Sequence, residues 1–267
     1  MNDLRISLIQ TDLHWEKPQD NRRRFEEKIE QLQASDLIVL PEMFTTGFSM
    51  ASSQLSEQMD GGSIAWMKGM ASSSGAVICA SLIIEENGSF YNRLIWMRPD
   101  GTFAQYDKRH LFRMAEEDQH FSPGQEKLIV ELKGWKICPL ICYDLRFPVW
   151  SRNTYHTDRK TYARPAYDLL LYLANWPAPR AAAWSKLLLA RAIENQVYVA
   201  GVNRIGTDGN DVAYSGGSTL IDAKGEPIWE AAVGAEEAIT LEIDKDSLDA
   251  FRKKFPLGMD ADDFTLG

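Results

Sequence analysis

The chain has 267 residues, 45% of them hydrophobic and 25% charged, with a formal net charge of −9. Such a chain can bury the core of one large α/β domain. Its acidic balance, with no long basic run, argues against nucleic acid or an anionic membrane surface as partner. No stretch reaches the roughly eighteen apolar residues of a membrane span. No apolar targeting block precedes the first strand. Three cysteines, Cys79, Cys138 and Cys142, with no CxxC pair, fit a reduced, cytoplasmic protein.

In chain order, Leu4 to Gln10 alternates as a first strand, and Asn21 to Gln33 carries Phe25, Ile29 and Leu32 at helical spacing. Asp36 to Leu40 reads as a second, buried strand that ends in Pro41-Glu42. Ser63 to Ser73 fits a helix with Trp66 and Met70 as an i, i+4 pair. Val77 to Ile84 and Phe90 to Met97 form a hairpin across Asn87-Gly88. Thr102 to Tyr106 is a further strand ending in Asp107-Lys108, and the polar stretch from Arg109 to Gln125 reads as an irregular loop. Ile137 to Ile141 is a short apolar strand followed at once by Cys142. Ser151 to Tyr167 holds Arg152, His156, Arg159, Lys160 and Arg164, the one basic patch in an acidic chain. Leu169 to Ala174 ends in Asn175-Trp176-Pro177. A helix over Ala181 to Gln196 leads into the strand Val197 to Val202, which ends in Asn203-Arg204. Ser218 to Asp222, Pro227 to Ala232 and Ala238 to Ile243 read as closing antiparallel strands, and Ser247 to Lys254 as a terminal helix. No repeat or linker divides the chain, so residues 1–267 read as one domain.

Short apolar strands thus end in Glu42, Lys108, Cys142, Asn175 and Asn203, which suggests that a single sheet edge carries a site. A carboxylate there can take a thiol proton during attack. An ammonium can lower the thiol pKa and hold a developing oxyanion. Together Glu42, Lys108 and Cys142 would support attack on a carbonyl carbon, a thioester and its hydrolysis. Taken alone, each residue reads first as a structural cysteine or a surface charge.

Three segments, Leu40-Pro41-Glu42-Met43-Phe44, Tyr106-Asp107-Lys108-Arg109-His110-Leu111-Phe112 and Cys142-Tyr143-Asp144-Leu145-Arg146-Phe147-Pro148, resemble the motifs of the nitrilase, or carbon–nitrogen hydrolase, superfamily in its order. Ala190 to Asn195 also matches, and the likeness runs from about Leu4 to Ile243. Within the superfamily the chain is most similar to bacterial omega-amidases of the 2-oxoglutaramate amidase group, through Pro41 to Phe48, Asp107 to Arg113 and Asn175-Trp176-Pro177. The resemblance implies an α-β-β-α sandwich, a homodimer, and a small-molecule amide substrate. It assigns Cys142 as nucleophile, Glu42 as base, Lys108 as oxyanion donor and the Tyr143 backbone N–H as second donor. It also implies a second glutamate, at Glu117 with Glu116 as fallback. Arg146 would hold a substrate carboxylate or pair with Asp144, and Asn175 and Trp176 would line the substrate site. Ser151 to Tyr167 is longer than the resemblance leads one to expect, either as a surface insertion or as part of the pocket mouth.

Nitrile or N-carbamoyl amino acid hydrolysis would use the same three side chains, so the residues leave the substrate open. A Cys–His hydrolase through His110 would leave Glu42 and Lys108 unexplained. A thiol redox sensor is the non-hydrolytic alternative. Cys138 and Cys142 stand too far apart along an extended strand for a disulfide. His14, His110, His120 and His156 lack metal-ligand spacing, and no metal or cofactor is expected.

Overall fold

The structure is a computed structural model that describes residues 3–156, 164–262 and 264. Its strands are β1 (Leu4–Gln10), β2 (Leu37–Val39), β3 (Val77–Glu86), β4 (Ser89–Met97), β5 (Phe103–Asp107), β6 (Val130–Leu132), β7 (Trp135–Ile141), β8 (Tyr155–His156) and β9 (Arg164–Pro165), followed by β10 (Leu169–Leu173), β11 (Tyr198–Val202), β12 (Ile205–Thr207), β13 (Ala213–Ser215), β14 (Thr219–Ile221), β15 (Pro227–Glu230) and β16 (Glu237–Ile243). The helices are α1 (Pro18–Ile29), α2 (Ser52–Leu55), α3 (Gly62–Ser74), α4 (Glu117–His120), α5 (Pro148–Ser151), α6 (Ala181–Asn195) and α7 (Lys245–Lys254).

Two six-stranded sheets carry the fold, in the orders β16-β1-β2-β3-β4-β5 and β15-β14-β11-β10-β7-β6. Each repeats one plan: three parallel strands in the middle, β1-β2-β3 or β7-β10-β11, with antiparallel partners outside. Alternation decides which side chains meet between the sheets. Leu4, Ile6, Leu8, Leu37 and Val39 share one core with Ile137, Leu169, Leu171 and Val199 of the second sheet. The alternate residues Ile9, Ile38 and Ile78 turn the other way and pack on Phe25, Ile29, Ile64 and Met67 of α1 and α3. On the far face of the second sheet, α6 buries Trp184, Leu188, Arg191, Ala192 and Asn195, a stripe at helical spacing. Gly201 on β11 permits that approach, since a Cβ there would lie 2.7 Å from Leu188 Cδ1 and 2.8 Å from Trp184 Cζ2. The result is the α-β-β-α sandwich. β10 is buried at all five residues because both of its faces are covered, which is why it reads as an unbroken apolar run.

Several elements differ from the sequence expectation. α1 begins at Pro18, because proline suits the first helical turn, and ends at Ile29. Leu32 still packs against the core from the turn beyond, so apolar spacing outlasts the helix. β6 and the hairpin β12–β13 are three-residue strands too short to show a period. The stretch Arg109 to Gln125 is not wholly irregular, because α4 forms within it. The start of the basic segment ties to the C-terminus of α6: Arg152 Nη1 donates to the Glu194 carbonyl, and the Asn153 N–H to Asn195 Oδ1 at 2.8 Å. Arg159 and Lys160 lie outside the described residues.

The terminal helix α7 is held to the second sheet by one buried carboxylate. Asp168 accepts from Arg252 Nη1 at 2.6 Å, Lys245 Nζ at 2.7 Å and the Lys136 N–H at 3.0 Å. Burial alone would raise its pKa, but Arg252 and Lys245 hold it below the ordinary aspartate value. Asp168→Ala should cost about 3–5 kcal/mol in urea unfolding at neutral pH, since it strands a buried arginine. Because the native carboxyl is depressed, this difference is full above pH about 4 and shrinks as pH falls through the native pKa. An unchanged unfolding midpoint at pH 7 would mean that α7 is held by its apolar face alone.

Candidate active site

Chain direction brings the polar strand ends together. β5 reverses twice from β3 and so runs with β1, β2 and β3, which places Lys108 at the same end of the sheet as Glu42. Cys142, Asn175 and Asn203 follow the parallel strands β7, β10 and β11 of the other sheet. The residues expected along one sheet edge therefore come from two stacked sheets, and the site lies where their ends meet.

At its base Lys108 is fully buried, with Nζ 2.8 Å from Glu42 Oε1 and 2.9 Å from both carboxylate oxygens of Glu117. Glu42 Oε2 accepts the Asn175 N–H at 2.8 Å, and Asn175 Nδ2 returns a bond to the Glu42 carbonyl at 2.5 Å. Glu117 Oε2 accepts the Phe112 N–H at 2.6 Å. Glu116, by contrast, is exposed and adopts a left-handed φ of 57° that turns the chain into α4. Gly124 closes the same loop under Lys108: its N–H donates to the Lys108 carbonyl at 2.9 Å, and a Cβ there would lie 2.1 Å from the Asp107 carbonyl oxygen.

Cys142 has a φ of 42°, an unusual backbone for a side-chain-bearing residue. Such a conformation costs about 1–3 kcal/mol and persists only where neighbours impose it. Asp144 imposes it here. One of its oxygens accepts the Tyr106 hydroxyl at 2.7 Å and the Ile141 N–H at 3.1 Å; the other accepts the His110 N–H at 3.0 Å. His110 Nδ1 lies 2.8 Å from that second oxygen, and its ring stacks on Phe147 at 3.7 Å. His110 thus pins the turn after β7 to the segment after β5, and the geometry gives the Cys–His reading no support. The Asp144–Arg146 pair considered from sequence is not formed. Asp144 is engaged elsewhere, and Arg146 lies over the Trp176 ring at 4.9 Å.

The Cys142 thiol is raised well above its ordinary pKa, by burial first and then by the charge of Glu42, with Lys108 opposing. Burial pulls Lys108 down, but the charges of Glu117, Glu42 and Cys142 outweigh it and push its pKa above the ordinary value. Glu117 is raised by burial and by Glu42 against the pull of Lys108. The resting cluster is therefore a neutral thiol beside a permanent ammonium. A redox sensor needs the opposite, an exposed thiol of low pKa. Among the described residues no group of three or more His, Cys, Asp or Glu is placed to hold a metal ion, and no helix is long and apolar enough to cross a membrane.

Above Cys142 a cavity of about 300 Å³ opens, lined by Lys108, Tyr143, Asn175 and Trp176 and by Phe48, Phe112 and Tyr214. Two guanidiniums face it, Arg146 and Arg180, and neither makes a hydrogen bond or ion pair with a described residue; Arg180 lies over Phe112 at 5.2 Å. Asp208 also lines the cavity, but its oxygens are taken by the N–H groups of Asn210 and Val212 and the Tyr214 hydroxyl, at 2.8–3.0 Å. No described residue of the segment 151–167 borders the cavity. Asn203 suspends the wall, accepting the Trp176 N–H at 2.7 Å and donating to the Trp176 and Gly216 carbonyls. No strand end or motif in the sequence marks Arg180, Asp208, Tyr214 or Asn92.

The sequence profile of the carbon-nitrogen hydrolase family matches residues 5–253. The chain belongs to that family. It is 46% identical to the omega-amidase YafV of Escherichia coli (strain K12) over 266 residues, covering 100% of each chain. It is 36% identical to the 2-oxoglutaramate amidase of Bacillus subtilis (strain 168), covering 94% of this chain and 95% of that one. A CN-hydrolase superfamily protein from Xanthomonas campestris, solved with an arsenic adduct in its active site, superposes with a TM-score of 0.95 at 45% identity and 100% coverage of both chains.

Cys142 is 8% exposed at the cavity floor, whereas Cys79 and Cys138 are 0% exposed within the core. Iodoacetamide should alkylate Cys142 first, as read by peptide mass mapping. Equal or earlier labelling of Cys138 would contradict the packing of β7.

Proposed function

We propose that this carbon–nitrogen hydrolase releases ammonia from the terminal amide of a short 2-oxo dicarboxylic acid monoamide, with 2-oxoglutaramate as the leading substrate. The observation that carries the mechanism is the buried Lys108, held between Glu42 and Glu117 beside Cys142 at the cavity floor. The relatives' names support the substrate.

The thiol is protonated at rest, so Cys142 attacks the amide carbon as its proton passes to Glu42. The tetrahedral oxyanion takes hydrogen bonds from Lys108 Nζ and the Tyr143 N–H, two donors in a water-poor site. Glu42 returns the proton to the departing nitrogen, and ammonia leaves a thioester on Cys142. Water then attacks the thioester and gives its proton to Glu42; the acid departs and the thiol is restored. Glu117 keeps Lys108 charged and placed. Asn175 holds Glu42 through its backbone N–H, and Trp176 forms the wall under Arg146. Arg146 and Arg180 are the cations available for the substrate's distal carboxylate, which a guanidinium holds by two parallel bonds.

The same reading places the enzyme in the cytoplasm as a homodimer. Its three free cysteines support the first part, and the exposed Ile193, Ile228 and Val233 offer apolar surface for the second. Sedimentation of the purified chain reads its assembly.

Ammonia release from 2-oxoglutaramate tests the proposal directly. Cys142→Ala should abolish it with the fold intact, and Glu42→Gln and Lys108→Met should each lower kcat by at least roughly a hundredfold. Normal turnover by Cys142→Ala would sink the mechanism. An enzyme that ignores 2-oxoglutaramate but cleaves nitriles or N-carbamoyl amino acids would remove the substrate and leave the mechanism standing.

The anchor is tested separately. Arg146→Lys should raise KM for 2-oxoglutaramate about tenfold while leaving an uncharged amide unaffected, the signature of a lost ground-state contact. If only Arg180→Lys has that effect, the carboxylate sits on the Phe112 side of the cavity.

A further inference from the structure

Asn92 on β4 is fully buried, and its side-chain amide lies against both carboxylates of the site. Nδ2 donates to Glu42 Oε1 at 2.8 Å and to Glu117 Oε1 at 3.3 Å. Lys108 Nζ bonds the same two oxygens, at 2.8 and 2.9 Å. The four groups close a ring in which donors and acceptors alternate, one donor charged and the other neutral. The amide's orientation is forced, because its carbonyl oxygen in that place would face two carboxylates. Oδ1 consequently points elsewhere, buried and without a hydrogen-bond partner among the described residues. The backbone secures the placement, since the Lys108 N–H donates to the Asn92 carbonyl at 3.0 Å.

The bonds on Glu42 are unequal. Oε1 carries two N–H donors, Lys108 and Asn92, while among the described residues Oε2 carries one, the Asn175 N–H. We infer that Asn92 is a positioning residue that occupies Oε1 of Glu42, so that Oε2 is the oxygen that takes the proton from Cys142. A neutral donor suits the task. A second cation would compete with Lys108 for the oxyanion, and an acid would add a third carboxylate to the two already present. The charged and titratable groups that face Glu42 are Lys108 from the end of β5, Glu117 from α4 and Cys142 after β7, with Tyr214 of β13 across the cavity. None of these can replace a neutral N–H on Oε1.

This inference rests on the proposed role of Glu42 as base, so its test has two arms. In the first, kcat/KM for ammonia release is followed against pH. Asn92→Ala removes a donor from an ionised carboxylate, which raises the carboxylate's pKa. The acidic limb should move up by about one to two pH units and kcat at neutral pH should fall at least roughly tenfold, with KM little changed. Asn92→Asp keeps the size but adds negative charge, and should move the limb further in the same direction. In the second arm, the rate of Cys142 alkylation by iodoacetamide is followed against pH; this needs no substrate, and its profile should move with the same variants. Unmoved profiles in both arms, with only the melting temperature lowered, would overturn the inference and leave Asn92 structural, as would failure of both variants to fold. Should the wild type cleave no amide while the alkylation profile still moves, the substrate reading fails and the role of Asn92 survives.

Discussion

A buried ammonium is the constraint on which the rest of the molecule depends. Lys108 has no solvent to stabilise its charge, and an isolated charge in a protein interior costs several kcal/mol or more. It is tolerated only because Glu42 and Glu117 lie within 2.8–2.9 Å. That requirement dictates local structure over much of the chain. The end of β2 must meet the end of β5, and the loop after β5 must turn at Glu116 to bring Glu117 back. Gly124 must let the returning strand of loop pass against Asp107. With one cation among two carboxylates, the neighbourhood disfavours a further negative charge, so the thiol keeps its proton until substrate arrives. In the proposed reaction the Cys142 proton therefore passes to a carboxylate during attack, with no standing thiolate required.

A second device couples the two sheets. Asp144, two residues beyond Cys142, binds groups from β5 and the segment after it as well as the end of its own strand. The strained backbone at Cys142 and the position of Lys108 are therefore set together. Tyr106 extends the link, accepting from Trp150 Nε1 at 3.1 Å and from the Arg109 N–H at 3.2 Å. The packing of one sheet on the other is thereby translated into the distance between Cys142 and Lys108. Above this rigid floor the cavity wall is built from less regular pieces: the Asn175 to Pro177 turn, the β12–β13 hairpin and the loop carrying Phe112. Their polar groups are mostly bonded to one another, as Asp208 shows, whereas the Arg146 and Arg180 guanidiniums have no hydrogen-bond or ion-pair partner among the described residues.

The strand ends that carry Glu42, Lys108 and Cys142 were legible because each follows an apolar run that ends abruptly in a charged or reactive residue. Periodicity also located α3, α6 and the β3–β4 hairpin, whose Asn87-Gly88 turn is a local signal. It failed for α4, whose one buried residue is a glutamate held by an ammonium, a contact that hydrophobic spacing does not record. It overran α1, because Leu32 packs on the core from beyond the helix. In sequence the five strand ends look like one edge, since linear order does not reveal that the parallel triads belong to different sheets.

By itself, then, the sequence determined the alternation that builds two sandwiched sheets, the family, and the three motif side chains at the ends of apolar strands. Those features follow from short-range pattern: period two, period 3.6, and reactive residues at the ends of apolar runs. Only the tertiary structure decided that Glu117 and not Glu116 reaches Lys108, that Asp144 holds His110 and not Arg146, and that Asn92 closes the ring between the two glutamates. Each of these is a contact between residues brought together by strand pairing or a backbone turn, where distances of about 3 Å separate a bond from none. Sequence spacing carries no such distance; the stacking of the two sheets does.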